Sequence, residues 1–167
     1  LHIAALQGDL SALTSLLDSK CSPDLVTNNG DRCPALLFCC IGDPKLQLVK
    51  EMLDRKANID GVSARNETAL IWAANQEHAE SVKLLLERKA DFSLRAISGA
   101  FSLQSALQVA KKTGNAQVTA LLQQATQAQA SAVKIVDAAP VSAAVRASRV
   151  VVPAVDISQL DDKDVNK

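Results

Sequence analysis

The side chains able to serve as nucleophile, acid–base catalyst or metal ligand are few in this chain of 167 residues. Its histidines are His2 and His78. Either would need a positioned partner group to move a proton, and the carboxylates are scattered over positions expected to face solvent on helices and loops. Cys21, Cys33, Cys39 and Cys40 cluster in sequence with His2 and raise the question of zinc. Zinc sites usually bring their thiolates as Cys-x-x-Cys pairs, and the sequence has none. Cys39 and Cys40 are neighbours, about 100° apart around a helix, so they do not converge on one ion. Their bunching before residue 41 is not the spread of a disulfide framework, and a reducing compartment is the simpler reading. A redox-sensing thiol would most naturally be Cys33, on the more exposed turn. No Gly-rich phosphate loop and no Gly-x-Ser-x-Gly elbow occurs. The expectation is therefore no enzyme, no metal, no cofactor and no small-molecule substrate.

Composition narrows the remaining classes. Lysine plus arginine and aspartate plus glutamate each number 18, for a formal net charge of zero. Binding to nucleic acid or an anionic membrane through bulk charge needs a local basic excess, so neither is expected. Hydrophobic residues make up 48% and charged ones 22%, as in a folded globular protein. Aromatics are 2% with no tyrosine, which makes stacking on bases or sugars a poor prospect. A core must then come from Leu, Ala, Val and Ile. No run of about 18 apolar residues exists to span a membrane. The first residues are Leu1-His2 with no initiator Met, so a fragment is expected and an N-terminal targeting signal would not be visible.

Internal repetition organises the chain. Leu1, Leu36, Leu70 and Leu107 are spaced by 35, 34 and 37 residues, each followed by a short apolar helix pattern. Behind each comes a second helical stretch ending in Leu16-Leu17, Met52-Leu53, Leu84-Leu85-Leu86 or Leu121-Leu122. Two of the polar turns that follow are nearly identical, Asp54-Arg55-Lys56-Ala57-Asn58 and Glu87-Arg88-Lys89-Ala90-Asp91. A unit of about 33 residues, built as helix, tight turn, helix and loop, is a stacking repeat. Helices this short are marginal alone, and one unit cannot cover its own apolar face, so several must pack in register.

Thr68-Ala69-Leu70-Ile71-Trp72-Ala73-Ala74 resembles the Thr-Pro-Leu-His-x-Ala-Ala signature of the ankyrin repeat family. The resemblance covers residues 1–124, read as repeats at 1–27, 28–62, 63–95 and 96–124. It implies an all-α ankyrin-repeat solenoid of about four helix-turn-helix repeats with a C-terminal Ala/Val-rich extension. The first repeat lacks its opening turn. The second has Cys39-Cys40 for Ala-Ala and Gly42-Asp43-Pro44 for the usual Gly-His turn. The fourth has Lys111 for the second Ala and an enlarged loop from Leu94 to Ser105. The resemblance further implies that His2 hydrogen-bonds between neighbouring loops and that His78 sits in the turn between helices. It implies too that Cys39 and Cys40 fill small buried positions and that Trp72 faces the core. Gln117, Gln123 and Gln124 suit a polar capping face.

In ankyrin stacks the loop tips and first-helix faces line a concave groove where partners usually bind. Carried over by position, the partner-binding candidates are Asp31, Arg65, Glu67, Asn75, Gln76, Phe101, Gln104 and Lys112. Leu6, Gln7, Gly30, Cys33, Ala64, Ser102 and Thr113 lie beside them. Phe101, apolar on a long loop, and Arg65, a charged anchor, are the preferred contacts.

From Ala125 to Lys167 the composition shifts to Gln/Ala and then Ala/Val, with Pro140 and Pro153 inside and Asp161-Asp162-Lys163-Asp164 near the end. Residues 125–167 read as an extended or partly disordered tail, with a short strand at Val150-Val151-Val152. An alternative is an arm that docks on a partner or folds over the repeats. The function expected is a non-catalytic protein–protein interaction module, an adaptor, scaffold or assembly subunit, with its partner another protein and a cytoplasmic or nuclear location. Alternatives are a regulatory ankyrin part of a larger enzyme, receptor or channel, or a structural subunit of a large complex.

Overall fold

The computed structural model describes residues 1–43 and 45–137. Pro44 and the part of the expected tail from 138 to 167, with its Val150–Val152 strand and its prolines, lie outside the described residues.

Among the described residues the chain forms α1 (His2–Gln7), α2 (Leu10–Asp18), α3 (Ala35–Cys39), α4 (Leu46–Asp54), α5 (Ala69–Asn75), α6 (Ala79–Glu87), α7 (Ala106–Thr113) and α8 (Ala116–Asp137). A 3-10 turn at Gly99–Phe101 sits in the enlarged loop. Consecutive helices pair as antiparallel hairpins, α1 with α2, α3 with α4, α5 with α6 and α7 with α8. Odd helices pack on odd ones and even on even, giving an inner row α1–α3–α5–α7 and an outer row α2–α4–α6–α8. The architecture is an all-α repeat solenoid followed by a further helical region.

Local chemistry sets the helix ends. Asp9 accepts from Ala12 N–H at 2.9 Å, Thr68 from Ile71 N–H at 3.2 Å, and Asn115 from Val118 N–H at 3.0 Å. Each satisfies a backbone donor that the first helical turn leaves open. Gly8 and Gly114 close α1 and α7 with φ of 80° and 84°, a left-handed conformation that glycine takes without a Cβ penalty. Lys20, Lys56 and Lys89 hold the same kind of angle after α2, α4 and α6, with φ of 65°, 62° and 67°.

Between the rows runs one continuous core. Ala4-Ala5, Cys39-Cys40 and Ala73-Ala74 are buried on inner helices, with Leu13, Val49, Met52, Val82, Leu85, Val118 and Leu122 on outer ones. Small residues let the rows approach, and leucines fill the space between. Side chains also tie each pair to its neighbour. Arg55 reaches Asp18 at 2.6 Å and Arg88 reaches Asp54 at 2.7 Å at the outer-helix ends. Asp24 accepts from Asn58 N–H at 2.6 Å and Asp60 from Asp91 N–H at 2.8 Å. Lys45 donates to the Leu6 carbonyl one pair back and to Ile41 O at 3.0 Å.

The last helix departs from the sequence reading. The extended tail expected from Ala125 begins no earlier than the end of α8, since the helix runs through Gln124 to Asp137. Alanine and glutamine are good helix formers, and no Gly or Pro intervenes between Asn115 and Asp137 to stop it. Gln117, Gln123 and Gln124 are exposed, as a capping face requires.

Candidate functional site

The loops between helix pairs are short hairpins, each closed by one antiparallel bridge: Val26 with Pro34, Val62 with Thr68, and Arg95 with Ser105. Neighbouring hairpins join through their backbones. Ala64 N–H donates to Asp31 O at 2.7 Å, and Ile97 N–H donates to Arg65 O at 2.9 Å. Asn66 adds a side-chain bond from Nδ2 to Arg95 O at 2.6 Å. The tips thus form a row with fixed spacing beside the inner helices.

His2 anchors the first hairpin from α1. Its Nε2 lies 3.0 Å from Leu25 O and 3.2 Å from Cys33 O, and since carbonyls only accept, Nε2 carries the proton. The ring stands edge-on to Phe38, with centroids 5.5 Å apart. This is the loop-to-loop role the sequence assigned to His2. His78 occupies the N-cap of α6, buried, bonded to the Gly42 backbone, with Nδ1 unpartnered. Burial pushes its pKa below the ordinary histidine value, Lys45 adds to that, and the Gly42 bond and Asp43 oppose it.

Of the candidate contacts, Asp31 and Arg65 come together on adjacent tips, with Arg65 Nη2 3.2 Å from Asp31 Oδ1 and both side chains about half exposed. Gly99 lets the enlarged loop close over them. A Cβ there would lie 3.0 Å from Arg65 Cδ and 3.3 Å from Glu67 Oε1, and its φ is +82°. Asn75 and Gln76 are half-buried at the end of α5, and Lys112 is exposed near the end of α7. Gln104 is half-buried, with its Oε1 enclosed.

Two candidates are corrected. Glu67 is 4% exposed and accepts from Trp72 Nε1–H at 3.2 Å. Phe101 is 5% exposed and stands edge-to-face with Trp72, centroids 5.1 Å apart and planes at 90°. Both build the wall beneath the strip and are not free to touch a partner. The reason is the 3-10 turn, which folds the loop tip back over the third inner helix instead of projecting it. Trp72 itself is half-buried against the core. The exposed apolar residues of this hairpin are Ile97 and Leu103, which the sequence reading passed over. Ile97 lies next to Arg65 through its backbone bond. A signal existed in the sequence, since both are aliphatic within an otherwise polar insertion.

The thiols are held protonated. Burial pushes Cys39 up to about 12 and Cys40 higher still. Burial, with the Asp31 and Glu67 carboxylates, also raises Cys33, the opposite of a poised redox thiol. Among the described residues no group of three or more His, Cys, Asp or Glu is placed to hold a metal ion. No helix of the described residues is long and apolar enough to cross a membrane.

Comparison with known proteins agrees with this geometry. A family model described as ankyrin repeats (three copies) matches residues 1–96. The α7–α8 pair lies beyond that match. A glycerophosphocholine phosphodiesterase, gde1 of Schizosaccharomyces pombe, is 31% identical over 119 residues, 71% of this chain. The chain spans 10% of that protein's length. The ankyrin-repeat solenoid is a non-catalytic class of fold, generally a protein–protein interaction module.

Proposed function

We propose that this chain, which belongs to the ankyrin-repeat family, binds another protein along the hairpin tips and the adjoining inner-helix faces. The repeats within residues 1–124 are the platform, and the role is adaptor, scaffold or assembly subunit, inside the cell. Arg65, Asp31, Asn75, Gln76 and Lys112 are the polar contacts, with Gln104 at the margin and Ile97 and Leu103 as apolar ones. The observation that supports this most is the row of tips fixed by the Ala64–Asp31 and Ile97–Arg65 backbone bonds. A surface held in place before binding loses little ordering entropy on association.

A second reading, a regulatory ankyrin segment of a larger enzyme, is favoured by the similarity to a phosphodiesterase of which this chain spans a tenth.

A cross-linking pull-down with the whole chain, an Arg65→Glu variant and a version ended at Asp137 tests the first reading. The same partner on the whole and shortened chains, lost on Arg65→Glu, supports the strip. Recovery by the whole chain alone would move recognition to residues 138–167 and overturn it. A phosphodiesterase domain as the partner would favour the second reading.

A further inference from the structure

Each internal helix pair buries one face against the pair before it, through α1 with α3 and α2 with α4, then α3 with α5 and α4 with α6. In the register of Leu13, Val49 and Val82, the residues three positions on are Leu16, Met52 and Leu85. Met52 and Leu85 are 0% exposed, whereas Leu16 is 37% exposed. On the inner row the matching residues are Ile3, Phe38 and Trp72. Phe38 and Trp72 are half-buried, and Ile3 is 71% exposed. Ala4, Ala5, Leu13 and Leu17 are buried on the side of α1 and α2 that meets the second pair. The opposite side therefore carries Ile3, Leu6, Leu10 and Leu16, residues of the type that the later pairs cover.

We propose that this face of α1 and α2 is an interface for one further ankyrin-type helical hairpin, stacked in the register the chain uses internally. The argument is continuity: the residue types and the spacing repeat an interface already present between the other pairs. Such stacking is a nearest-neighbour interaction, so a matching unit adds stability to the unit it covers. The far end of a second copy does not fit this face. There Lys111 stands exposed where Ala5, Cys40 and Ala74 are buried, beside the exposed Gln117, Gln123 and Gln124. Copies therefore do not chain end to end.

The experiment joins a copy of residues 36–69 directly to Leu1, so that Leu1 takes the place of Leu70. Urea unfolding, amide exchange and sedimentation are compared between this extended chain and the original. The midpoint is expected to rise, and exchange in Leu10–Asp18 to slow about tenfold. Leu16→Glu should then lower the midpoint much more in the extended chain than in the original. An unchanged midpoint with unchanged exchange would overturn the proposal. So would an original chain that sediments as a dimer and dissociates on Leu16→Glu, because the face would then belong to a second copy.

Discussion

Arg65 Nη2 lies 3.2 Å from Asp31 Oδ1 across two hairpin tips, so two residues of the binding strip engage each other in the free chain. Both side chains are about half exposed, and an ion pair in water is worth only about 0–1 kcal/mol. Arg65→Ala should therefore leave the unfolding midpoint nearly unchanged while weakening partner binding at least about tenfold, as an interface anchor would. Calorimetry and a binding isotherm on the same variant separate the two. A large loss of stability with unchanged affinity would make Arg65 a structural residue.

Phe101 contributes stability. Its ring is buried under Trp72, and truncating a buried Phe costs about 3–5 kcal/mol through transfer and cavity terms. Phe101→Ala should lower the urea midpoint and shift Trp72 emission to the red. With one tryptophan and no tyrosine, that emission reports the site alone. An unshifted spectrum and an unchanged midpoint would place Phe101 outside the core.

The repeat architecture was legible because period, Ala pairs and leucine-rich second helices are local and recur in each unit. His2 was legible for the same reason. The placement of Phe101 was not, because it depends on a 3-10 turn inside an insertion and on an indole from the preceding unit. Glu67 was misread likewise: its position says loop, but Trp72 N–H draws it inward. At α8 the change in composition was visible, but it marked the end of the repeat pattern, and the Ala/Gln stretch kept the helix going to Asp137.

Acid should loosen the junction of the second and third pairs through His78. Its folded pKa lies below the ordinary value of 6.5, chiefly from burial. The unfolded chain therefore takes up the proton first. The contribution is complete above 6.5 and is lost as pH falls from there toward the folded pKa. Lys45 ammonium works against the charged ring and Asp43 for it. Urea midpoints from pH 7.5 down to 5 should fall more steeply for the native chain than for His78→Gln. Parallel slopes would remove His78 from the pH response.

The strained turns after the outer helices offer a gain. Lys89 has φ of 67° and is exposed. Lys89→Gly should raise stability by up to about 1 kcal/mol, after the entropy glycine adds to the unfolded chain. Lys89→Val, β-branched in the same backbone, should cost about 1–3 kcal/mol. Equal midpoints for the two variants would contradict the assigned turn.

The central claim is that the hairpin tips and inner helices form the partner surface. Amide exchange of the chain with and without the partner recovered by pull-down tests it directly. Protection should concentrate at residues 30–33, 64–66 and 95–104 and on the exposed side of α5 and α7, with α2, α4 and α6 unchanged. Protection confined to the outer helices, with the tips exchanging as freely as before, would contradict the account.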